Sequence, residues 1–244
     1  MDYRYPDGAL GLSSVSFRVT PGEAIAILGA NSAGKTTLLR ILNGLQLPSS
    51  GSITFRNQTI SQNSLEDPKF RSEFRQAVSF IPQQGDCRLV RDSFAEAFDS
   101  GQEAAGLGLQ ISQRQAETTY ESLGIGHVIH RAQNNLSGSE RMRVAIASVL
   151  ITRPEVVMFD EPFLGLDPIG QVKLVRVLNN LQSHGKTTLI ATHTLDFVPR
   201  IAKRALVLGV NHELIADDTV DKIYCDERVL ALANLIENYP GLSL

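Results

Sequence analysis

The segment GANSAGKTT, Gly29–Thr37, sets Gly29, Gly34, Lys35 and Thr36 at the spacing glycine, four residues, glycine, lysine, hydroxyl. A glycine-rich turn that opens a helix is suited to phosphate, because the N–H groups of the loop and first helical turn converge on one point at the positive end of the helix. Asn31, Ser32, Ala33 and Thr37 complete the backbone of that cradle. Lys35 adds a charge for terminal phosphate oxygens, and the Thr36 hydroxyl is a hard ligand for Mg²⁺. The fixed positions match by chance in roughly one chain of this size in a hundred. A second segment, VVMFDE (Val156–Glu161), ends an apolar run on two carboxylates. At the carboxyl end of a strand, Asp160 is placed to hold Mg²⁺ through its water shell, and Glu161 to polarise an attacking water. Alone, such an acidic pair also suits a helix N-cap. A third, LSGSER (Leu136–Arg141), has the form of a capping box, Ser137 with Glu140 three residues on, and a helix start headed by Ser-Gly is itself an anion site.

These groups need a scaffold, and the pattern around them supplies one. Short apolar runs at Ala24–Leu28, Ser52–Phe55, Ala77–Ile81, Glu155–Asp160, Thr187–Thr192 and Ala205–Leu208 predict strands. AIAIL and VVMF are apolar throughout, as strands covered on both faces of a parallel sheet are. Helices are predicted at Lys35–Asn43, Ser137–Thr152, Pro168–Ser183 and Leu195–Ile201. The alternation points to an α/β fold. From about Gly85 to Leu136 the pattern changes to amphipathic segments (Asp92–Gln102, Ser112–Leu123), which predicts a helical insertion. From Asp217 onward the chain is predicted to return to helix.

Composition narrows the function classes. The 244 residues carry 23 Lys+Arg against 26 Asp+Glu, a formal charge of −3. That balance provides no global field for nucleic acid or an anionic membrane. The longest stretch free of Asp, Glu, Lys and Arg is the 15 residues Ile41–Phe55, broken by Pro48 and Gly51, whereas a membrane-spanning helix needs about 18 apolar residues. The start, MDYRYPDG, lacks the build of a signal peptide. Cys87 and Cys225 have no metal or redox spacing. A soluble, cytosolic protein is expected.

The ordered set of phosphate loop, LSG at a helix start, FDEP, GLD and ATH resembles the nucleotide-binding subunit of ATP-binding cassette (ABC) transporters along essentially the whole chain. The resemblance implies a P-loop NTPase (RecA-like) core with an antiparallel β edge and an inserted α-helical subdomain. It implies one domain over 1–244, with core at 1–84 and 150–216, helical subdomain at 85–149 and a short C-terminal helical extension at 217–244. It implies ATP and Mg²⁺ as ligands. Tyr5 is similar to the ring that stacks on adenine. Gln83 is similar to the glutamine that senses Mg²⁺ and γ-phosphate, with Gln84 as the competing choice. Ser137 and Gly138 are similar to the residues that contact the γ-phosphate held by an opposite subunit. Asp167 is similar to an aspartate that crosses the dimer, and His193 to a switch histidine between γ-phosphate and water. Within the family, YRYPDG, LNGLQLPSSG, RVAIASVLITRPEVVMFDEP and IADDTVDKIYCDERVLALANL resemble the energy-coupling factor type, importers of transition-metal ions such as cobalt or nickel and of vitamins. The first residues of that type's usual N-terminal strand are expected to be missing before Tyr5.

What this implies is an ATPase subunit at the cytoplasmic face of the cell membrane. It would be paired head to tail with a second ATPase subunit, identical or related, and docked on integral membrane subunits that select the cargo. A soluble non-transport ABC ATPase is the alternative. Several residues depart from the family pattern: Ala30 and Ser32 in the loop, Phe163 after DEP, Asp218 in the tail, and Ser139 and Glu140 where the signature usually reads Gly-Gln. A carboxylate at 140 should weaken contact with a triphosphate unless it turns back to cap its helix. That leaves a slow, regulatory ATPase as a further alternative.

Overall fold

The computed structural model describes residues 1–83, 113–128 and 135–236. Its centre is a six-stranded sheet. The strands are β3 (Ala24–Leu28), β6 (Val78–Ile81), β7 (Val156–Asp160), β8 (Thr187–Thr192), β9 (Arg204–Leu208) and β10 (Leu214–Thr219), in the order β10-β9-β3-β8-β7-β6. All neighbours are parallel except β10, which runs antiparallel to β9 at one edge. Two small hairpins lie outside it: β1 (Tyr3–Arg4) with β2 (Leu10–Leu12), and β4 (Thr54–Phe55) with β5 (Gln58–Thr59).

The unbroken apolar strands are apolar because both faces are covered. In β3, Ala26 and Leu28 join one buried cluster while Ile25 and Ile27 join the other. Helix α1 (Lys35–Leu42) covers the second face through Leu38, Leu39 and Ile41. Helices α2 (Gln62–Glu66) and α3 (Pro68–Ala77) lead into β6, with Phe70 and Phe74 stacked in the same cluster. On the first face lie α4 (Gln113–Leu123), α5 (Gly138–Leu150) and α6 (Pro168–Ser183), followed by α7 (Val198–Ile201), α8 (Val220–Cys225) and α9 (Glu227–Leu232). The two helices before β7 are not a separate core. Ala116, Tyr120 and Leu123 share a cluster with Met142, Ile146, Phe159 and Ile190. Buried Arg143 ties the pair together, donating to the carbonyls of Leu123 (3.2 Å) and Ser139 (3.3 Å). Among the described residues, no helix is long and apolar enough to cross a membrane.

Several elements differ from the sequence reading. Residues 214–219 form a strand, so the C-terminal helical piece starts at Val220 and not at Asp217. The cause is an edge pairing in which Arg204 holds the Asp217 carboxylate bidentately at 2.6 and 2.7 Å. Pro199 confines helix α7 to Val198–Ile201, shorter than the predicted Leu195–Ile201. The strand expected at Ser52–Phe55 shrinks to Thr54–Phe55. Helices α2 and α3 and the hairpin β1–β2 are additions. The segment Asp92–Gln102 lies outside the described residues, as does Gln84.

Candidate functional site

The loop Gly29–Gly34 joins β3 to α1, and its glycines are required by close approach. A Cβ on Gly34 would lie 2.5 Å from the Gly11 carbonyl oxygen and 2.9 Å from Leu12, and the residue has φ 101°. A Cβ on Gly29 would meet the Leu208 carbonyl oxygen at 2.8 Å. Ser32, where the family pattern has glycine, still takes the left-handed conformation at φ 65°, which for such a residue costs on the order of 1 kcal/mol. The loop therefore keeps its curvature despite the substitution.

Inside the turn sits Lys35, 6% exposed. Its Nζ donates to the carbonyls of Gly29 (2.7 Å) and Ala30 (2.9 Å) and lies 3.5 Å from Glu161 Oε1. Burial pulls its pKa below the ordinary lysine value, and the charge of Glu161 opposes that shift. Next to it, Thr36 donates to Asp160 Oδ2 at 2.7 Å. Asp160 is 2% exposed at the end of β7, and its other oxygen, Oδ1, is buried with no hydrogen-bond partner among the described residues. Burial raises the Asp160 pKa, and the Thr36 hydroxyl works against the rise. A hydroxyl oxygen and a carboxylate oxygen lacking a donor are the hard oxygen ligands that a small divalent cation takes. The donor set fits Mg²⁺.

Glu161 follows at φ 46°, again in the left-handed region. The turn that strains it aims its carboxylate along the end of β8. Oε1 accepts from the His193 backbone N–H at 3.0 Å and from His193 Nδ1 at 2.7 Å, while Oε2 accepts from the Thr192 hydroxyl at 3.0 Å. Both carboxylate oxygens are thus oriented by neighbours, and Lys35 neutralises part of the charge. Thr192 escaped the sequence reading. It ends an apolar strand, and only the fold brings it against a residue far away in sequence.

A cavity of about 590 Å³ opens over these groups, lined by Asn31, Ser32, Gly34, Lys35, Thr36, Thr37, Asp160 and Glu161, and also by Tyr5, Gln83 and His212. Gln83 is exposed at the end of β6. The Tyr5 hydroxyl bonds Thr37 Oγ1 at 2.5 Å and its ring meets Tyr3 edge-on, so the ring is held at the cavity rim. Ala33 is buried in the core under the loop.

Ser137, Gly138 and Asp167 do not line this cavity. Ser137 is the N-cap of α5: its hydroxyl accepts from the Glu140 N–H (3.2 Å), and the Glu140 carboxylate accepts from the Ser137 N–H (2.7 Å). Glu140 is therefore turned back onto its own helix. Asp167 caps α6, accepting from the Gly170 N–H at 2.5 Å. The chain brings together Lys35, Thr36, Asp160, Glu161 and His193, and leaves the two caps outside that set.

The family model described as ABC transporter matches residues 12–164. The energy-coupling factor transporter ATP-binding protein EcfA of Methanocaldococcus jannaschii is 31% identical, over 96% of this chain and 82% of that protein. The nickel import ATP-binding protein LarO of Lactiplantibacillus plantarum is 34% identical, over 89% of this chain and 90% of that one. Among solved structures, cbiO1 of Clostridium perfringens, described as part of the ABC transporter complex cbiONQ, superposes with a TM-score of 0.73 at 29% identity, covering 97% of this chain and 92% of that one.

Proposed function

This chain belongs to the ABC transporter family, and from that premise we propose that it is the ATP-hydrolysing subunit of an energy-coupling importer. The importer carries a transition-metal ion such as nickel or cobalt, or a vitamin. What carries the reading is the carboxylate pair at the end of β7, where Asp160 Oδ1 is buried beside the Thr36 hydroxyl with no donor among the described residues and Glu161 is held on both oxygens.

In this reading the loop N–H groups and Lys35 bind the triphosphate, and Tyr5 stacks on the base. Thr36, Asp160 and Gln83 would hold Mg²⁺, which when bound would supply charge neutralisation for the triphosphate. Glu161 accepts the hydrogen bond of the attacking water and orients it in line. His193 keeps Glu161 in that pose through Nδ1, with Nε2 left for the γ-phosphate. Ser137 and Gly138, at a capped helix start, meet the γ-phosphate of a partner, and Asp167 lies at the crossing between the two chains. Because this one chain carries both halves of the site, a second copy in head-to-tail orientation completes two sites by symmetry. Glu140 is occupied in capping α5 and so is turned from the triphosphate, which favours a turning-over ATPase above a slow regulatory one. The likeness to EcfA, LarO and cbiO1 supports docking on a membrane subunit at the cytoplasmic face.

The experiment is affinity purification from detergent-solubilised membranes with an ATPase assay on the captured complex. Recovery of an integral membrane protein together with magnesium-dependent ATP hydrolysis is expected. Recovery with ribosomes or nucleic acid and no membrane protein would sink the transport assignment.

A further inference from the structure

Beside the phosphate loop, Lys35 and the carboxylates, the cavity wall includes Tyr5, Leu10, Gly11 and His212, of which the Tyr5 hydroxyl and the His212 imidazole are the polar side-chain groups. His212 sits in the turn between β9 and β10, closed by His212 N–H on the Gly209 carbonyl (3.0 Å) and Gly209 N–H on the Glu213 carbonyl (2.9 Å). It has φ 64°, a conformation in which histidine is enriched relative to most side chains. Its carbonyl accepts from the Ser13 N–H at 2.9 Å, which anchors the turn to the residue after β2. The turn is therefore held against the same hairpin that carries Tyr5.

The ring has one buried nitrogen. Nδ1 is inaccessible and has no partner among the described residues, while the residue as a whole is half-buried, which leaves Nε2 as the ring's other polar atom. An unpartnered buried nitrogen costs less as a lone pair than as an orphaned N–H. With Nδ1 as the lone pair, Nε2 is the ring's hydrogen-bond donor, on a residue that lines the cavity. Resting on the reading of this cavity as an ATP site, we propose that His212 is a specificity-determining residue whose Nε2–H donates to an acceptor on the nucleoside half of ATP, a ring nitrogen of the base or an oxygen of the ribose. It contacts no phosphate. Tyr5 then gives the base a face, and His212 gives the nucleoside a directional contact.

Equilibrium binding to the full chain tests this with ATP, 2′-deoxyATP and inorganic tripolyphosphate as probes. The main variant is His212→Gly, because glycine adopts the positive φ freely, and its melting temperature checks that it folds. Loss of one hydrogen bond should weaken ATP about 3- to 10-fold and leave tripolyphosphate unchanged. His212→Asn tolerates the same backbone and keeps an N–H donor, so it should recover part of the loss. If the acceptor is the ribose 2′-oxygen, 2′-deoxyATP binds wild type as weakly as ATP binds the glycine variant. If it is on the base or is another ribose oxygen, wild type binds 2′-deoxyATP more tightly than the glycine variant does, by the same factor as for ATP. Unchanged ATP affinity in His212→Gly, parallel weakening of ATP and tripolyphosphate, or an asparagine variant as weak as the glycine one would each overturn the proposal. A wild-type chain that bound tripolyphosphate but showed no preference for ATP would overturn it too. One that bound neither would overturn the ATP-site reading beneath it.

Discussion

The end of β7 and the start of α5 both present groups suited to phosphate chemistry, yet they are built in opposite ways. At β7, Asp160 and Glu161 are buried, Asp160 Oδ1 is unpartnered among the described residues, and Glu161 and the nearby Ser32 take left-handed backbone conformations. At α5, Ser137 and Glu140 satisfy each other in a capping box, and at α6 Asp167 accepts from the Gly170 N–H. Strain and unsatisfied polar groups persist only where the surroundings impose them, and they concentrate where chemistry is done. Satisfied caps are what a surface needs to hold its shape while it waits for another molecule. The contrast fits the proposed division, with turnover at the first region and presentation to a partner at the second.

The largest effect should come from Glu161→Gln, which keeps the shape but removes the proton acceptor. Steady-state ATP hydrolysis should fall by about 10²- to 10⁴-fold, with ATP affinity retained; near-normal turnover would break the assignment of chemistry to this end. Next is Asp160→Asn, which sharpens the contrast because it should cost function and add stability. The folded Asp160 has a pKa raised above its ordinary 3.8 by burial. Its favourable contribution is therefore present below that ordinary value and lost as pH rises through the folded one. At neutral pH the asparagine variant should unfold at higher denaturant concentration than wild type, by on the order of 1 kcal/mol, while nucleotide binding loses its dependence on magnesium. The advantage should vanish in acid, below the unfolded value. A variant less stable than wild type at pH 7 would contradict the claim that the buried charge is a cost.

At the capped end, Asp167→Ala and Ser137→Ala should each destabilise the chain by about 1 kcal/mol, measured by urea unfolding, and the effect should be additive. The smallest effect belongs to Ser32→Gly. Relief of the positive φ is offset by the entropy of glycine, leaving a gain below about 1 kcal/mol in the same assay. A loss of stability there would show that Ser32 is not strained.

Much of this was legible in the residues themselves. Gly29–Thr37 and Asp160–Glu161 declare their chemistry through spacing, and the two-faced burial of AIAIL follows from its unbroken apolarity. The reasons for some of those residues were not legible: Gly34 must be glycine because Gly11, far off in sequence, brings its carbonyl to 2.5 Å from where a Cβ would stand. Helix α3 was missed because KFRSEFRQ is mostly charged or polar, although Phe70, Phe74 and Ala77 recur at helical spacing behind an Asp67 cap and Pro68. The end of strand β10, from Asp217, was read as helix because Asp217 and Asp218 are poor strand residues, and the partner that offsets this, Arg204, is on the neighbouring strand. Thr192 and His212 become site residues only when separate loops meet, which no local pattern encodes.

The central claim is that the strained region and the capped region complete each other between two chains. Glu161→Gln protein, purified and mixed with ATP and magnesium, should elute in size-exclusion chromatography with light scattering at the mass of two chains, and at the mass of one without nucleotide. A single-chain mass at saturating, demonstrably bound ATP would contradict the account.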